Sequence, residues 1–224
     1  MKKILVGIVL ALIIESSLAS APTYISGRVE ILDKGEAKRK VVQNAIVYVD
    51  GVQATVPPAL LSERYKIASQ NKSFTPHVQA VPVGGIVSFP NLDNIMHNVF
   101  SISGGNRFDL GLYKSGASKT QQFQNPGLVR IYCNIHPQMS AFVLVLANPY
   151  FTWVRPDGSF RIDHVPSGNY TLKVWHEQAQ AEAQVRVGAG GAANIELLLD
   201  ARRFEKKPHR NKFGKSYKKK RVKY

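Results

Sequence analysis

Past its N-terminal segment the chain carries almost no apolar residues at helical spacing, and this absence limits its fold more than any motif does. Short alternating or β-branched runs recur instead between turn residues, which predicts an all-β protein built as sandwiches. Strands are expected at Tyr24 to Ile31, Ala45 to Val49, Tyr65 to Ser69, His77 to Val81, Ile86 to Pro90, His97 to Ser101, Lys119 to Phe123, Leu128 to Cys133 and Ser140 to Leu146. A second series follows at Phe151 to Val154, Ser159 to Ile162, Tyr170 to His176, Ala181 to Val187 and Asn194 to Leu199. Asp50-Gly51, Gly84-Gly85, Asn125-Pro126-Gly127 and Pro156-Asp157-Gly158 punctuate the runs. Residues 53–64 and 107–117 read as less regular connections.

The N-terminus has the layout of a cleavable export signal. Lys2 and Lys3 precede the apolar run Ile4 to Ile14, and the small-residue stretch Ser16 to Ala21 closes it, with cleavage expected near Ala19 or Ala21. The run is short for a bilayer span. A soluble periplasmic protein is the expectation, in an oxidising compartment where a lone cysteine has no intramolecular disulfide partner.

That lone cysteine, Cys133, lies in the densest chemistry of the chain, Ile131-Tyr-Cys-Asn-Ile-His-Pro-Gln-Met139. The spacing C-x2-H-x2-M crowds a thiolate, an imidazole and a thioether onto one short loop. These soft to borderline donors suit copper in a trigonal His2Cys site with a weak axial Met. One imidazole is then missing, and the best candidate is His97, 36 residues upstream at the head of an apolar run. Each residue alone favours a bland reading: a lone Cys or Met is usually core filler, and a histidine at a strand start is usually structural. Their conjunction favours the metal. His77, His164, His176 and His209 have no partner at metal spacing and read as structural or solvated.

The formal charge of +15 is concentrated at the C-terminus, where residues 201–224 hold twelve Lys or Arg against one Glu. A like-charge block of this kind reads as a disordered extension, or as an arm for an acidic protein or an anionic envelope surface. Nucleic acid is not expected as a partner after export.

Two resemblances organise these observations. Met96-His-Asn-Val99, Phe123-Gln-Asn-Pro-Gly127 and Tyr132-Cys-x2-His-Pro-x-Met139 resemble the cupredoxins, and the short ligand loop is most similar to amicyanin and the methylamine-utilisation cupredoxins. The resemblance covers roughly residues 63–147. It implies a Greek-key β-sandwich with one type 1 copper bound by His97, Cys133 and His136 in a plane and Met139 axially. It also implies that the Asn98 side chain ties the His97 strand to the ligand loop, with the Asn98 backbone N–H aimed at the Cys133 sulfur. Amicyanin has proline before the loop histidine. Ile135 stands here instead, which predicts a second N–H to sulfur bond and a somewhat lower reduction potential.

The pattern DGSF-x3-HVPSGNYTLKVWHE, from Asp157 to Glu177, resembles transthyretin-like or carboxypeptidase-regulatory-like β-sandwich modules. The opening pieces such modules show stand far upstream, at Ile25-Ser-Gly-Arg-Val29 and Asn44 to Val49. The expected organisation is therefore an export signal at 1–21, a cupredoxin domain at 54–147, a discontinuous smaller sandwich from 22–53 with 148–200, and a basic disordered tail at 201–224.

The expected function is one-electron transfer, not enzymatic catalysis. Paired H-x-H motifs for a multicopper oxidase and a second cysteine for a binuclear centre are both missing from the sequence. The electron would pass through the exposed edge of His136, with Ile135 and Pro137 as the docking patch for a periplasmic redox protein such as a cytochrome c or a dehydrogenase. The alternative is a copper-binding envelope adaptor or copper chaperone with no relay role.

Overall fold

In the computed structural model of this chain, residues 23–61, 65–206, 209 and 211–217 are described; the export segment expected at 1–21 lies outside them. Strands account for nearly all of the regular structure, and the helical pieces among the described residues are two three-residue 3-10 turns. The first strands are β1 (Tyr24–Leu32), β2 (Lys40–Val41) and β3 (Ile46–Asp50). A central set follows: β4 (Tyr65–Lys66), β5 (Ala68–Gln70), β6 (Ser73–Thr75), β7 (Val78–Pro82), β8 (Ile86–Pro90), β9 (His97–Ser101), β10 (Phe108–Tyr113), β11 (Ser118–Gln122), β12 (Gly127–Tyr132) and β13 (Ser140–Leu146). The last set is β14 (Phe151–Trp153), β15 (Ser159–Asp163), β16 (Gly168–Trp175), β17 (Gln180–Val187) and β18 (Ala192–Asp200).

The central strands form a five-stranded sheet, β10-β9-β12-β13-β7, facing a three-stranded sheet, β11-β8-β4. Val87 and Phe89 from one sheet meet Val99, Val129, Ile131 and Val143 from the other in a single apolar cluster that also contains Cys133 and Met139. The outer strands form a second pair of sheets, one built on β15-β1-β18 and the other on β14-β3-β16-β17. Strands from residues 24–50 are thus paired with strands from residues 151–200, and the intervening chain forms sheets of its own.

Alternation explains which side chains go where. In β13, Ala141, Val143 and Val145 face the central cluster while Leu144 and Leu146 face away, toward Ile46 and Trp175 of the outer sheets. The run Ala141 to Leu146 is apolar without a break because both of its faces are covered. Each such fully buried Val, Leu or Phe contributes roughly 1.5–3 kcal/mol. His77 adds a polar tie across the junction, with one ring nitrogen 2.8 Å from Glu177 and the other 3.0 Å from the Ser140 carbonyl.

Gly27 shows why the outer sheet needs its opening motif. A Cβ there would lie 1.9 Å from the Ile195 carbonyl oxygen, where β1 and β18 run parallel with a register shift. Only glycine permits that approach.

Two expectations change. Residues 107–117 are not an irregular connection, since β10 pairs with β9 across a register shift between Asp109 and Leu112, where Gly111 takes φ +68°. The bulge breaks the alternation that would have marked the strand. The block 201–224 reads as a disordered extension, yet its described residues His209, Lys212 and Tyr217 lie against the Cys133–Met139 loop and its surroundings: His209 stacks on Tyr132 with centroids 3.9 Å apart, the Tyr217 hydroxyl donates to the Cys133 carbonyl at 3.2 Å, and Lys212 pairs with Asp109 at 2.7 Å. Charge repulsion along the tail is offset there by one acidic partner and by aromatic contact.

Candidate metal centre

His97, Cys133 and His136 converge at one end of the central sandwich. His97 opens β9 and is fully buried; Cys133 directly follows β12 and is fully buried; His136 sits on the loop between β12 and β13 and is half-buried. The loop closes on itself: the Cys133 N–H donates to the Met139 carbonyl at 3.3 Å, and the Met139 N–H donates to the His136 carbonyl at 3.0 Å. The chain thereby turns His136 back toward Cys133 while Met139 enters the core, 1% exposed.

The donor atoms form a triangle. The two imidazole Nδ1 atoms are 3.1 Å apart, and the Cys133 sulfur lies 3.7 Å from the His136 Nδ1 and 4.0 Å from the His97 Nδ1. The point equidistant from the three falls inside that triangle, about 2.1 Å from each atom, within the ~2.0–2.3 Å of nitrogen and thiolate bonds to a metal. Three donors therefore meet one ion-sized position without any movement of the backbone.

His97 is aimed by a carboxylate. Its Nε2 lies 2.7 Å from Asp93 Oδ2, so the ring presents Nδ1 to the other donors. Asp93 accepts two further bonds, from the Asn71 N–H at 2.6 Å and the Lys72 N–H at 2.9 Å. Asn71 and Lys72 both take φ +54° at the tip of the β5–β6 hairpin, a conformation that turns the two amides toward one oxygen pair. Asn91, fully buried, sets the turn itself, accepting from the Asp93 N–H at 3.1 Å and donating to the Ile95 carbonyl at 2.8 Å. A carboxylate behind a ligating histidine fixes its tautomer and raises its basicity.

Electrostatics agree with that arrangement. Burial alone would raise the Asp93 carboxyl, but the bonds from the Lys72 N–H, His97 and the Asn71 N–H outweigh it and hold the pKa below the ordinary carboxylate value. Burial, then the neighbouring His97 and Lys72, lower the His136 pKa, which leaves its ring neutral at pH 7 with a lone pair free.

Asn98 joins β9 to the loop. Its side-chain oxygen accepts from the Asn134 N–H at 3.3 Å, and its amide donates to Asp109 at 2.7 Å and to the Gly111 carbonyl at 3.1 Å. The Cys133 sulfur lies beside both imidazoles, 4.0 Å from the His97 Nδ1 and 3.7 Å from the His136 Nδ1. Ile135 is 45% exposed and Pro137 is also exposed, with Leu92, Ile95 and Met96 forming further exposed apolar surface.

The Asp93 role left a single weak sign in the sequence. The residue stands four before His97, but its bonds to a hairpin tip more than twenty residues upstream follow no period. A carboxylate near a candidate ligand histidine was the one available signal.

No family model matches the chain, and no curated protein matches it. Similar solved structures include a purple cupredoxin from Nitrosopumilus maritimus at 24% identity, covering 36% of this chain and 98% of that one with a TM-score of 0.33. A copper-containing nitrite reductase from Thermus scotoductus is 26% identical over 42% of this chain and 24% of its own length, TM-score 0.35. A Cu(I) amicyanin variant is 16% identical over 44% of this chain and 97% of that one, TM-score 0.35. The chain thus spans about a quarter of the reductase it resembles.

Proposed function

We propose that this chain is an exported cupredoxin-type copper protein that carries one electron at a time, with residues 54–147 as the copper domain set into a discontinuous sandwich from 22–53 and 148–200. The observation that carries the reading is the triangle of two imidazole nitrogens and one thiolate around a single position about 2.1 Å from each. Soft and borderline donors of this set select copper over harder cations, and a buried thioether at Met139 completes a type 1 set. Copper held there would take up and release one electron by cycling between Cu(II) and Cu(I).

The chain's own residues supply the rest. His97, fixed by Asp93, anchors the position to the rigid sheet, and the self-bonded loop fixes Cys133 and His136, so the donors keep one geometry in both oxidation states. His136 is the ligand nearest solvent, and the exposed Ile135 and Pro137 beside it form the contact patch for a redox partner in the periplasm.

Purified protein given one equivalent of Cu(II) should show an intense thiolate-to-copper absorption toward the red end of the visible, and should cycle reversibly by one electron. A weak spectrum with rapid copper exchange would instead fit a chaperone or adaptor carrying cargo. N-terminal sequencing of the protein recovered from the periplasm should begin at Ser20 or Pro22.

A further inference from the structure

We propose that the described C-terminal residues act as a clasp on the metal loop, with His209, Lys212 and Tyr217 as positioning residues that hold Cys133 to Met139 in ligating geometry. The inference rests on the copper reading for its purpose and on independent contacts for its existence.

The loop, residues 133–139, joins β12 to β13 outside their paired residues. The tail supplies donors to two of the loop's carbonyls: the Tyr217 hydroxyl donates to the Cys133 carbonyl at 3.2 Å, and His209 Nε2 lies 2.6 Å from the Pro137 carbonyl. The carbonyl of a donor residue and that of the residue after His136 are thus both tied to one segment.

The same segment closes a ring of bonds. The Lys212 N–H donates to the Asn134 side-chain oxygen at 3.3 Å, and its ammonium donates to Asp109 at 2.7 Å. Asp109 accepts from Asn98, and Asn98 accepts from the Asn134 N–H. The circuit from tail to loop to β9 and back to the tail has no open side. Aromatic contact seals it, since the His209 ring lies flat on Tyr132 at 14° between planes and meets the Tyr217 ring edge-on at 5.2 Å.

An exposed loop that must order itself on binding loses affinity to that ordering, and a partner segment already docked removes the loss. Coupling of this kind is reciprocal. A metal at the triangle should in turn hold the tail down.

The test compares the full chain with a chain ending at Arg203, and with Tyr217→Phe, Lys212→Met and Lys212→Arg. In the metal-free proteins, amide exchange at Asn134 and its loop neighbours should quicken about tenfold on truncation while the β12 and β13 amides stay protected. In the Cu(I) proteins, transfer to a chelator should quicken roughly 10–100-fold, as removal of outer supports does at other metal centres, with Lys212→Arg recovering most of the loss that Lys212→Met causes. Trypsin should cut the tail more slowly once copper is bound. Loop exchange and copper release within twofold of the full chain in the truncation and the point variants would overturn the clasp; if the truncation does not fold, the point variants decide. A full chain with a protected loop but no thiolate band overturns the copper reading and leaves the clasp standing.

Discussion

The central sandwich and the outer one are both two-sheet β-bodies with apolar cores, yet only the central one buries polar side chains in number. Ser69, Asn91, His97, Asn98 and Ser101 are all buried there, whereas the outer core, from Ile25 to Ala201, is apolar, and the one further buried polar residue among the described residues, Asn148, stands at the junction and donates to the Val49 carbonyl. A buried polar group costs stability unless it is bonded, so natural cores keep few of them. Asn91, His97 and Asn98 are each bonded and support the end of the sheet where His97 faces the cysteine, so their burial there marks a site. The outer sandwich needs no such outlay, and it packs Ile46 and Trp175 against the face of the central sheet that Val78, Ala80, Leu144 and Leu146 present.

That contrast can be broken at several points. The largest effect expected is from Cys133→Ala, which should abolish the thiolate band completely while the far-UV spectrum stays that of a β-protein; a surviving band would place the chemistry elsewhere. Phe160→Ala empties the outer core of a residue 1% exposed and should cost about 3–5 kcal/mol in denaturant unfolding. Its copper spectrum, measured on folded protein, should not move. A shifted spectrum would show that the outer sandwich shapes the site through Ile46 and Trp175.

Asp93→Asn touches only the site. Copper affinity should fall roughly 10–100-fold, about 1.4–2.7 kcal/mol, and the reduction potential should rise, because a negative charge behind His97 that favours Cu(II) is gone. An unchanged potential would reduce Asp93 to a packing role. Acid should act at His136. Its pKa is lowered, so the neutral, ligating ring persists at and just below the ordinary histidine value near 6.5, and copper should be lost only as pH falls through the lowered value. Loss already complete at pH 7 would contradict that sign. The smallest effect belongs to the exposed pair Lys173–Asp50 on the outer sandwich, where Lys173→Met should change stability by less than about 1 kcal/mol and leave the spectrum alone.

Some of this was legible in the residues themselves. Cys133, His136 and Met139 lie within seven consecutive residues, so their meeting needs little more than a tight turn, and an unbroken apolar run marks β13 as alternation marks β16 without any tertiary knowledge. His97 was reachable because a three-donor loop lacks one imidazole and a histidine stands at the head of an apolar strand. Other features left no local trace. The strand at Phe108–Tyr113 is hidden by the bulge at Gly111, and the docking of His209, Lys212 and Tyr217 depends on charge and aromatic contacts that a run of lysines and arginines gives no reason to expect.

The sequence by itself determined the all-β character and the donor types, because side-chain alternation and ligand chemistry are properties of neighbouring residues. Only the tertiary structure decided that β1 and β3 pair with strands more than a hundred residues on, that the Asn71–Lys72 hairpin orients Asp93 behind His97, and that the basic tail returns to the metal loop. Those contacts join segments with no shared period, and their geometry exists only once both sheets of each sandwich have closed.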